Sequence, residues 1–260
     1  TSIAESIGDI NIASHSIAET NAVTKEASEK LKKYISEYMP KKLYRYRKFD
    51  KYLENNDIDL VLVSGDLTDF GPLDFVPEFI DNIASKDVDV ICIPGNCDPE
   101  GICNAINDTE SVCIHNNLVA YEDVILFGFG GSNPTPFDTP GEFQDPDLYD
   151  ALKELFAEFD FVYKDDAKVI KILLTHAPPF DTEVDKIPDG NHVGSISLRK
   201  IIEEFQPDIN LCGHVHEAIG EDKIGDTIIF NPGTLEENHA ILIDVDDNMD
   251  FTANIIDLTE

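Results

Sequence analysis

The sequence predicts an α/β protein whose strands pair largely in parallel. Three observations support this fold class: short runs rich in Val, Ile and Leu that stop abruptly at polar residues or Gly, segments with apolar residues every three or four positions, and the alternation of the two along the chain. A chain of 260 residues can bury a full core in one layered domain. We therefore expect a single domain over residues 1–260.

The predicted strands are short apolar runs bounded by turn-forming residues, as expected for strands buried in a sheet. They are Leu60 to Val63, Val88 to Ile93, Val124 to Phe129, Val169 to Leu174, Ile209 to Cys212 and Thr227 to Phe230. A weaker strand precedes Asp9. Near the C-terminus, Ala240 to Val245 and Phe251 to Ile256 flank an Asp-rich turn, which predicts a β-hairpin.

Helices are predicted where apolar residues recur at helical spacing, over Val23 to Tyr38 and over Leu148 to Phe159. A third helix follows Ser195, a good N-cap residue. The segment from Lys41 to Lys51 holds six of the nineteen basic residues. It fits an amphipathic surface helix, or a cap or partner contact that brings positive charge towards an anionic substrate. Between Gly131 and Asp147, four prolines and no periodicity predict a long loop, and such loops are often functional.

Composition limits the partners of the chain. Nineteen Lys and Arg against 52 Asp and Glu give a formal charge of -33, which repels nucleic acid and anionic membranes. No apolar run approaches the roughly 18 residues that span a bilayer. Five cysteines without paired spacing predict reduced thiols, and residues 1–9 show no secretory signal, so we expect a cytoplasmic protein. A homodimer is compatible with the Tyr-rich basic segment.

Metal-competent side chains follow the ends of several predicted strands. They are Asp9, Asp66 after Gly65, Asn96 after Gly95, His176 after Thr175, and His214 with His216 after Gly213. Open α/β sheets place ligands in the crevice beyond the carboxyl ends of their strands, so these distant stretches are expected to meet at one composite site. Carboxylate, amide and imidazole ligands suit manganese, iron, cobalt, nickel or zinc better than calcium or magnesium.

Each motif taken alone also has a structural explanation. GDLTD at 65–69 and PGNCD at 94–98 fit simple turns, and His176 in THAPP fits a histidine satisfied in the core. GHVH at 213–216 is a stronger signal, because two histidines separated by one residue can face the same metal. All four motifs in this order, each at a strand end, indicate a metal site.

This order of motifs resembles the calcineurin-like metallophosphoesterases. The resemblance runs from Asp9 to the NPG at 231–233, and GNCD, HVGS at 192–195 and the ending GHVHEAIG are similar to small prokaryotic members of unassigned substrate. It implies a four-layer αββα sandwich of two mixed sheets. It also implies a metal-dependent phosphoesterase in which water activated by two divalent transition-metal ions, with manganese favoured, attacks a small phosphate ester.

The resemblance also implies a ligand set. Asp66 bridges both metals, Asn96, His176 and His214 complete one site, and Asp9 and His216 hold the other. The first motif of the family is Asp-x-His, whereas this chain reads Asp9-Ile10-Asn11. Asn11 offers only a neutral carbonyl oxygen, so the site nearest Asp9 is expected to bind metal more weakly.

The catalytic residues expected from this reasoning are Asp66, Asn96, His176 and His192. Cys97 stands where most members of the family have a histidine, and a thiol replaces imidazole poorly as a proton donor. The reaction is therefore expected to favour good leaving groups and a phosphodiester substrate. His192 either donates the proton that the leaving group needs, contacts phosphate, or is a loop residue with no functional role. The alternative function is a non-catalytic interaction scaffold with a degraded metal site, and a nuclease is disfavoured by the charge.

Overall fold

A computed structural model describes residues 46–162 and 168–259 of the chain. Asp9, Asn11 and the helix predicted over residues 23–38 lie outside the described residues. Residues 48–260 group into one compact unit. None of the described helices is long and apolar enough to cross a membrane.

Eleven strands are present in the described residues. They are β1 (Leu60–Val63), β2 (Asp89–Cys92), β3 (Val112–Cys113), β4 (Asn117–Tyr121), β5 (Val124–Phe129), β6 (Ile170–Thr175), β7 (Ile209–Leu211), β8 (Gly220–Ile224), β9 (Thr227–Asn231), β10 (His239–Val245) and β11 (Phe251–Asp257). Five α-helices accompany them in the described residues: α1 (Arg47–Asn55), α2 (Phe75–Ala84), α3 (Ile102–Asn107), α4 (Asp145–Val162) and α5 (Ile196–Phe205). Every strand predicted in the described residues is present.

The larger sheet has six strands in the order β4-β5-β6-β7-β9-β8. Its central strands β5, β6, β7 and β9 pair in parallel, and the edge strands β4 and β8 are antiparallel to their neighbours. A three-stranded sheet, β1-β2-β3, is wholly parallel, and β10 and β11 form the predicted antiparallel hairpin. The parallel pairing aligns the carboxyl ends of β1 and β2, and likewise those of β5, β6 and β7.

The helices and sheets form four layers, and an apolar core lies between each pair of successive layers. One core joins α4 and α5 to the outer face of the six-stranded sheet, and a second joins α2 and α3 to the outer face of β1 and β2. The third core lies between the sheets, where the hairpin residues Ile241, Ile243 and Ile255 join Ile91 and Leu174. The αββα sandwich is therefore confirmed. The described part of the smaller sheet is parallel, however, and mixed pairing is seen only in the larger sheet.

Sequence periodicity explains the two helices that cover the larger sheet. In α4, Leu148, Leu152 and Phe156 are buried at helical spacing against the sheet. Helix α5 begins where predicted, because the Ser195 side chain accepts a hydrogen bond of 3.0 Å from the backbone N–H of Leu198. Three short strands, β3, β4 and β8, were not predicted, since edge strands need no continuous apolar run.

The prediction of five reduced thiols is wrong in part. Cys103 and Cys113 form a disulfide that joins α3 to β3, whereas Cys92, Cys97 and Cys212 are free. The two cysteines are ten residues apart in sequence, and only the return of the chain from α3 into β3 brings their Cα atoms to 5.3 Å.

Candidate metal centre

The turns that follow β1 and β2 are in direct contact with each other. Gly65 and Asp66 both adopt left-handed backbone angles, with φ of 100° and 52°, which turn the chain sharply at the strand end. A Cβ atom on Gly95 would lie 1.9 Å from Oδ1 of Asp66. The same Oδ1 accepts a hydrogen bond of 3.0 Å from the backbone N–H of Cys97. The two glycines therefore allow an approach that any larger residue would prevent.

Asp98 fastens these two turns together. Its buried carboxylate accepts hydrogen bonds from the backbone N–H of Gly95 at 2.8 Å, of Thr68 at 2.8 Å and of Leu67 at 3.2 Å. It also accepts one from the Thr68 hydroxyl at 3.0 Å. The sequence pattern contained Asp98 as the last residue of GNCD but gave no sign of this role. Loss of Asp98 would leave these buried donors unsatisfied.

His176 stands at the end of β6 with its ring between the two turns. Its Nδ1 lies 2.7 Å from the carbonyl oxygen of Ser64, which can only accept, so Nδ1 carries a proton. Its Nε2 lies 2.8 Å from Oδ1 of Asn96 and 3.5 Å from Oδ2 of Asp66. Burial opposes a charge on the ring, but the hydrogen bond and charge of Asp66 outweigh burial and raise the pKa of His176.

His214 completes this group of side chains. The backbone N–H of Gly213 donates to the carbonyl of His176 at 2.9 Å, and His214 follows with a left-handed φ of 66°. Its ring centroid is 5.1 Å from that of His176. Burial, followed by the charge of His176, lowers the pKa of His214 to about 4, which keeps its imidazole neutral as a metal ligand must be. His216 lies two residues farther along the same turn and is exposed.

The arrangement fits a divalent cation. Because Nδ1 of His176 is committed to Ser64, its Nε2 presents a lone pair to the oxygens of Asn96 and Asp66 whenever that nitrogen is unprotonated. Three electron-pair donors from three separate strand ends thus face one another, and only a proton or a cation between them removes their mutual repulsion. Metal-ligating histidines are typically fixed by such a bond to the other ring nitrogen.

The remaining predicted ligands are those expected to hold a second metal ion. Among the residues that the structure describes, no three His, Cys, Asp or Glu side chains are grouped as a metal site by themselves. The site at Asp66 includes the amide of Asn96 as a further donor. Asp9 and Asn11, predicted to serve the second metal with His216, lie outside the described residues.

His192 belongs to a different cluster. Its Nδ1 lies 2.6 Å from Oδ1 of Asp185, a fully buried carboxylate, and its Nε2 lies 3.7 Å from Oδ1 of the exposed Asp181. The hydrogen bond to Asp185 raises the pKa of His192. No sequence signal had pointed to Asp185, which stands seven residues before the histidine. Asn231 links the backbone next to Asp185 to the backbone between His214 and His216, since its Nδ2 donates to the carbonyls of Val184 at 3.4 Å and Val215 at 2.8 Å.

Cys97 is a poor acid at neutral pH. Burial, followed by the charges of Asp66, Asp69 and Asp98, raises the pKa of its thiol to about 12. A thiolate is therefore not expected under ordinary conditions. The contribution of this residue to the centre comes from its backbone N–H, which is bonded to Asp66.

Comparison with known proteins points to one family. The family model described as calcineurin-like phosphoesterase matches residues 7–218. The uncharacterized protein MJ1162 of Methanocaldococcus jannaschii is 37% identical over 180 residues, which cover 67% of this chain and 77% of MJ1162. The crystal structure of TT1561 of Thermus thermophilus shares the fold, with a TM-score of 0.58 and 16% identity over 82% of this chain and 93% of that one. A second crystal structure, at 18% identity, covers 80% of this chain and 92% of its own with a TM-score of 0.62.

Proposed function

The chain belongs to the calcineurin-like phosphoesterase family, and from this premise we propose that it hydrolyses a small phosphodiester at a centre of two divalent transition-metal ions. The observation that carries the proposal is the convergence of Asp66, Asn96 and His176, whose ligand atoms lie within 3.5 Å of Nε2 of the histidine. Manganese is the favoured metal, because the carboxylate and amide oxygens of Asp66 and Asn96 suit it.

We assign the ligand roles as the family resemblance implies them. Asp66, Asn96, His176 and His214 would hold one ion, and Asp66 would be shared with a second ion held by His216, Asp9 and Asn11. When bound, such ions lower the pKa of water and neutralise charge on the phosphoryl oxygens. The chain itself fixes the ligands: Asp98 locks the turns of Asp66 and Asn96 together, and Ser64 sets the tautomer of His176.

The leaving group needs a proton, and we assign its donation to His192. The thiol of Cys97 holds its proton too tightly, with a pKa of about 12. His192 is oriented by buried Asp185 in the way that an acid–base histidine is oriented by a carboxylate. Its segment is joined to the turn of His214 and His216 through Asn231, which supports its placement at the rim of the site.

The test combines metal content with turnover. The wild-type protein, loaded with MnCl2 and desalted, should carry about two Mn²⁺ per chain and hydrolyse bis(p-nitrophenyl) phosphate. Asp66→Ala should lose both metal and hydrolysis. Asp69→Ala is the matched control, since Asp69 is an exposed carboxylate in the same turn. Hydrolysis by Asp66→Ala with unchanged metal content would refute the assignment. A folded wild type without metal or turnover would favour the interaction scaffold instead.

The proposal also covers the partners, the cellular location and the oligomeric state of the protein. The charge of -33 argues against nucleic acid and anionic membranes as partners. A cytoplasmic location and a homodimer remain predictions. Cell fractionation with thiol trapping of Cys103 and Cys113 tests the location directly.

A further inference from the structure

The loop between β5 and α4 contacts the candidate metal centre through the side chain of Thr139. Nδ2 of Asn96 donates a hydrogen bond of 2.8 Å to the hydroxyl oxygen of Thr139, and both side chains are buried. The opposite end of the same amide, Oδ1, lies 2.8 Å from Nε2 of His176. The orientation of the Asn96 amide therefore decides whether an oxygen or an NH2 group faces the centre.

A carboxylate behind Thr139 decides that orientation. The Thr139 hydroxyl lies 2.8 Å from Oε1 of Glu142, and the backbone N–H of Thr139 donates to the same oxygen at 2.9 Å. Burial opposes ionisation of Glu142, but the hydrogen bonds from Thr135 and Thr139 outweigh burial and lower its pKa to about 2. An ionised carboxylate only accepts, so the single proton of the Thr139 hydroxyl points to Glu142.

The hydroxyl then has only lone pairs to offer to Asn96. A lone pair accepts from the NH2 end of the amide and repels the oxygen end, so Oδ1 is directed to His176 and Asp66. The main chain holds the same contact, because the backbone N–H of Gly141 donates to the Asn96 carbonyl at 2.9 Å. A Cβ atom on Gly141 would lie 2.7 Å from the carbonyl oxygen of Gly95, so the turn fits closely against the GN motif.

We propose that Thr139 and Glu142 are positioning residues that aim the carbonyl oxygen of Asn96 at the metal centre and thereby set its affinity for metal. The inference rests on the proposed function, because it takes Asn96 as a ligand. A flipped amide would present NH2 to the cation, which cannot coordinate it. Residues that orient metal ligands typically contribute about 10- to 100-fold in metal affinity or activity.

The experiment measures Mn²⁺ affinity by titration against a chelating indicator, with MnCl2 as the only added ligand. Thr139→Val keeps the shape of the side chain and removes the hydroxyl, so it should weaken Mn²⁺ binding by about 10- to 100-fold. Thr139→Ser restores the hydroxyl and should bind Mn²⁺ within about threefold of the wild type. Glu142→Gln still accepts from Thr139 and should lose less affinity than Thr139→Val.

Thr135→Val is the matched control, because Thr135 donates to the same Glu142 oxygen at 2.5 Å without touching Asn96. It should leave affinity within about threefold of the wild type. Thermal unfolding of the metal-free proteins separates misfolding from loss of orientation. Equal affinity of Thr139→Val and wild type, or equal losses in Thr139→Val and Thr139→Ser, would overturn the inference alone. A folded wild type that binds no Mn²⁺ would overturn the proposed function as well.

Discussion

Two clusters in this protein pair an imidazole with a carboxylate, His176 with Asp66 and His192 with Asp185. The hydrogen-bond partner of Nδ1 differs between them. In His176, Nδ1 donates to the neutral carbonyl of Ser64, and Nε2 faces the oxygens of Asn96 and Asp66. In His192, Nδ1 donates to the buried carboxylate of Asp185. A carbonyl at Nδ1 fixes the tautomer and directs Nε2 towards the oxygens of Asn96 and Asp66, where a cation or a proton can lie, whereas a carboxylate at Nδ1 stabilises the protonated ring. We therefore propose that the first cluster holds metal and that the second holds a proton.

The largest expected effect is the loss of the metal-facing imidazole. Because we propose that His176 is a ligand rather than a supporting residue, hydrolysis of bis(p-nitrophenyl) phosphate by His176→Ala should fall by more than the roughly 10- to 100-fold typical of a supporting residue. Mn²⁺ content should fall with it. Elemental analysis and steady-state rates measure both. If His192→Ala lost metal and His176→Ala kept it, the assignment of the two clusters would be reversed.

The second prediction concerns the leaving group. His192→Gln removes the proposed proton donor, so hydrolysis of a diester with an alkyl leaving group should fall by about 10²-fold, at the low end of the range for general acids. With p-nitrophenolate, which leaves without a proton, the loss should stay below about threefold. The ratio of kcat/KM for the two substrates is the measurement, and Mn²⁺ content should not change. Equal losses on both substrates would show that His192 acts on binding or structure instead.

The third prediction is a shift in pH dependence. The hydrogen bond to Asp185 raises the pKa of His192, so the acid form is present below that pKa and is lost as pH rises through it. Hydrolysis of the alkyl diester should therefore decline on the alkaline side. Asp185→Asn removes the charge that raises the pKa, so the decline should begin at lower pH. If folded Asp185→Asn showed the same decline in rate at alkaline pH as the wild type, the decline would not arise from His192.

Much of the fold was predictable because buried strands carry their own signal. Apolar runs such as β5 and β6 are covered on both faces and match the predicted segments to within one residue. Edge strand β8, with the sequence GEDKI, alternates between exposed residues and residues that are partly or fully buried, and no apolar run marks it. The disulfide was missed for a related reason, since its pairing depends on how α3 returns into β3 and not on the spacing of Cys103 and Cys113.

The candidate site divides in the same way. Asp66, Asn96, His176 and His214 could be predicted to lie close together because each follows the end of a strand, and the packing of the two sheets brings these strand ends to one place. The residues that hold them were not found. Thr139 is 43 positions from Asn96 in an aperiodic loop, and Asp185 is placed by the path of its own loop. Contacts between supporting residues and candidate ligands arise from tertiary packing, which the local sequence pattern does not encode.

The smallest expected effect is that of the residue beside the metal ligands. Cys97→Ala should change the rate on either diester by less than about threefold, against the 10²- to 10⁴-fold contributed by a working general acid. The reason is that burial and three neighbouring carboxylates raise the pKa of the thiol to about 12, while the backbone N–H bonded to Asp66 is kept in the variant. Steady-state rates on both substrates measure the effect. A selective loss on the alkyl diester in Cys97→Ala, absent in His192→Gln, would move the proton donor from the second cluster to the first.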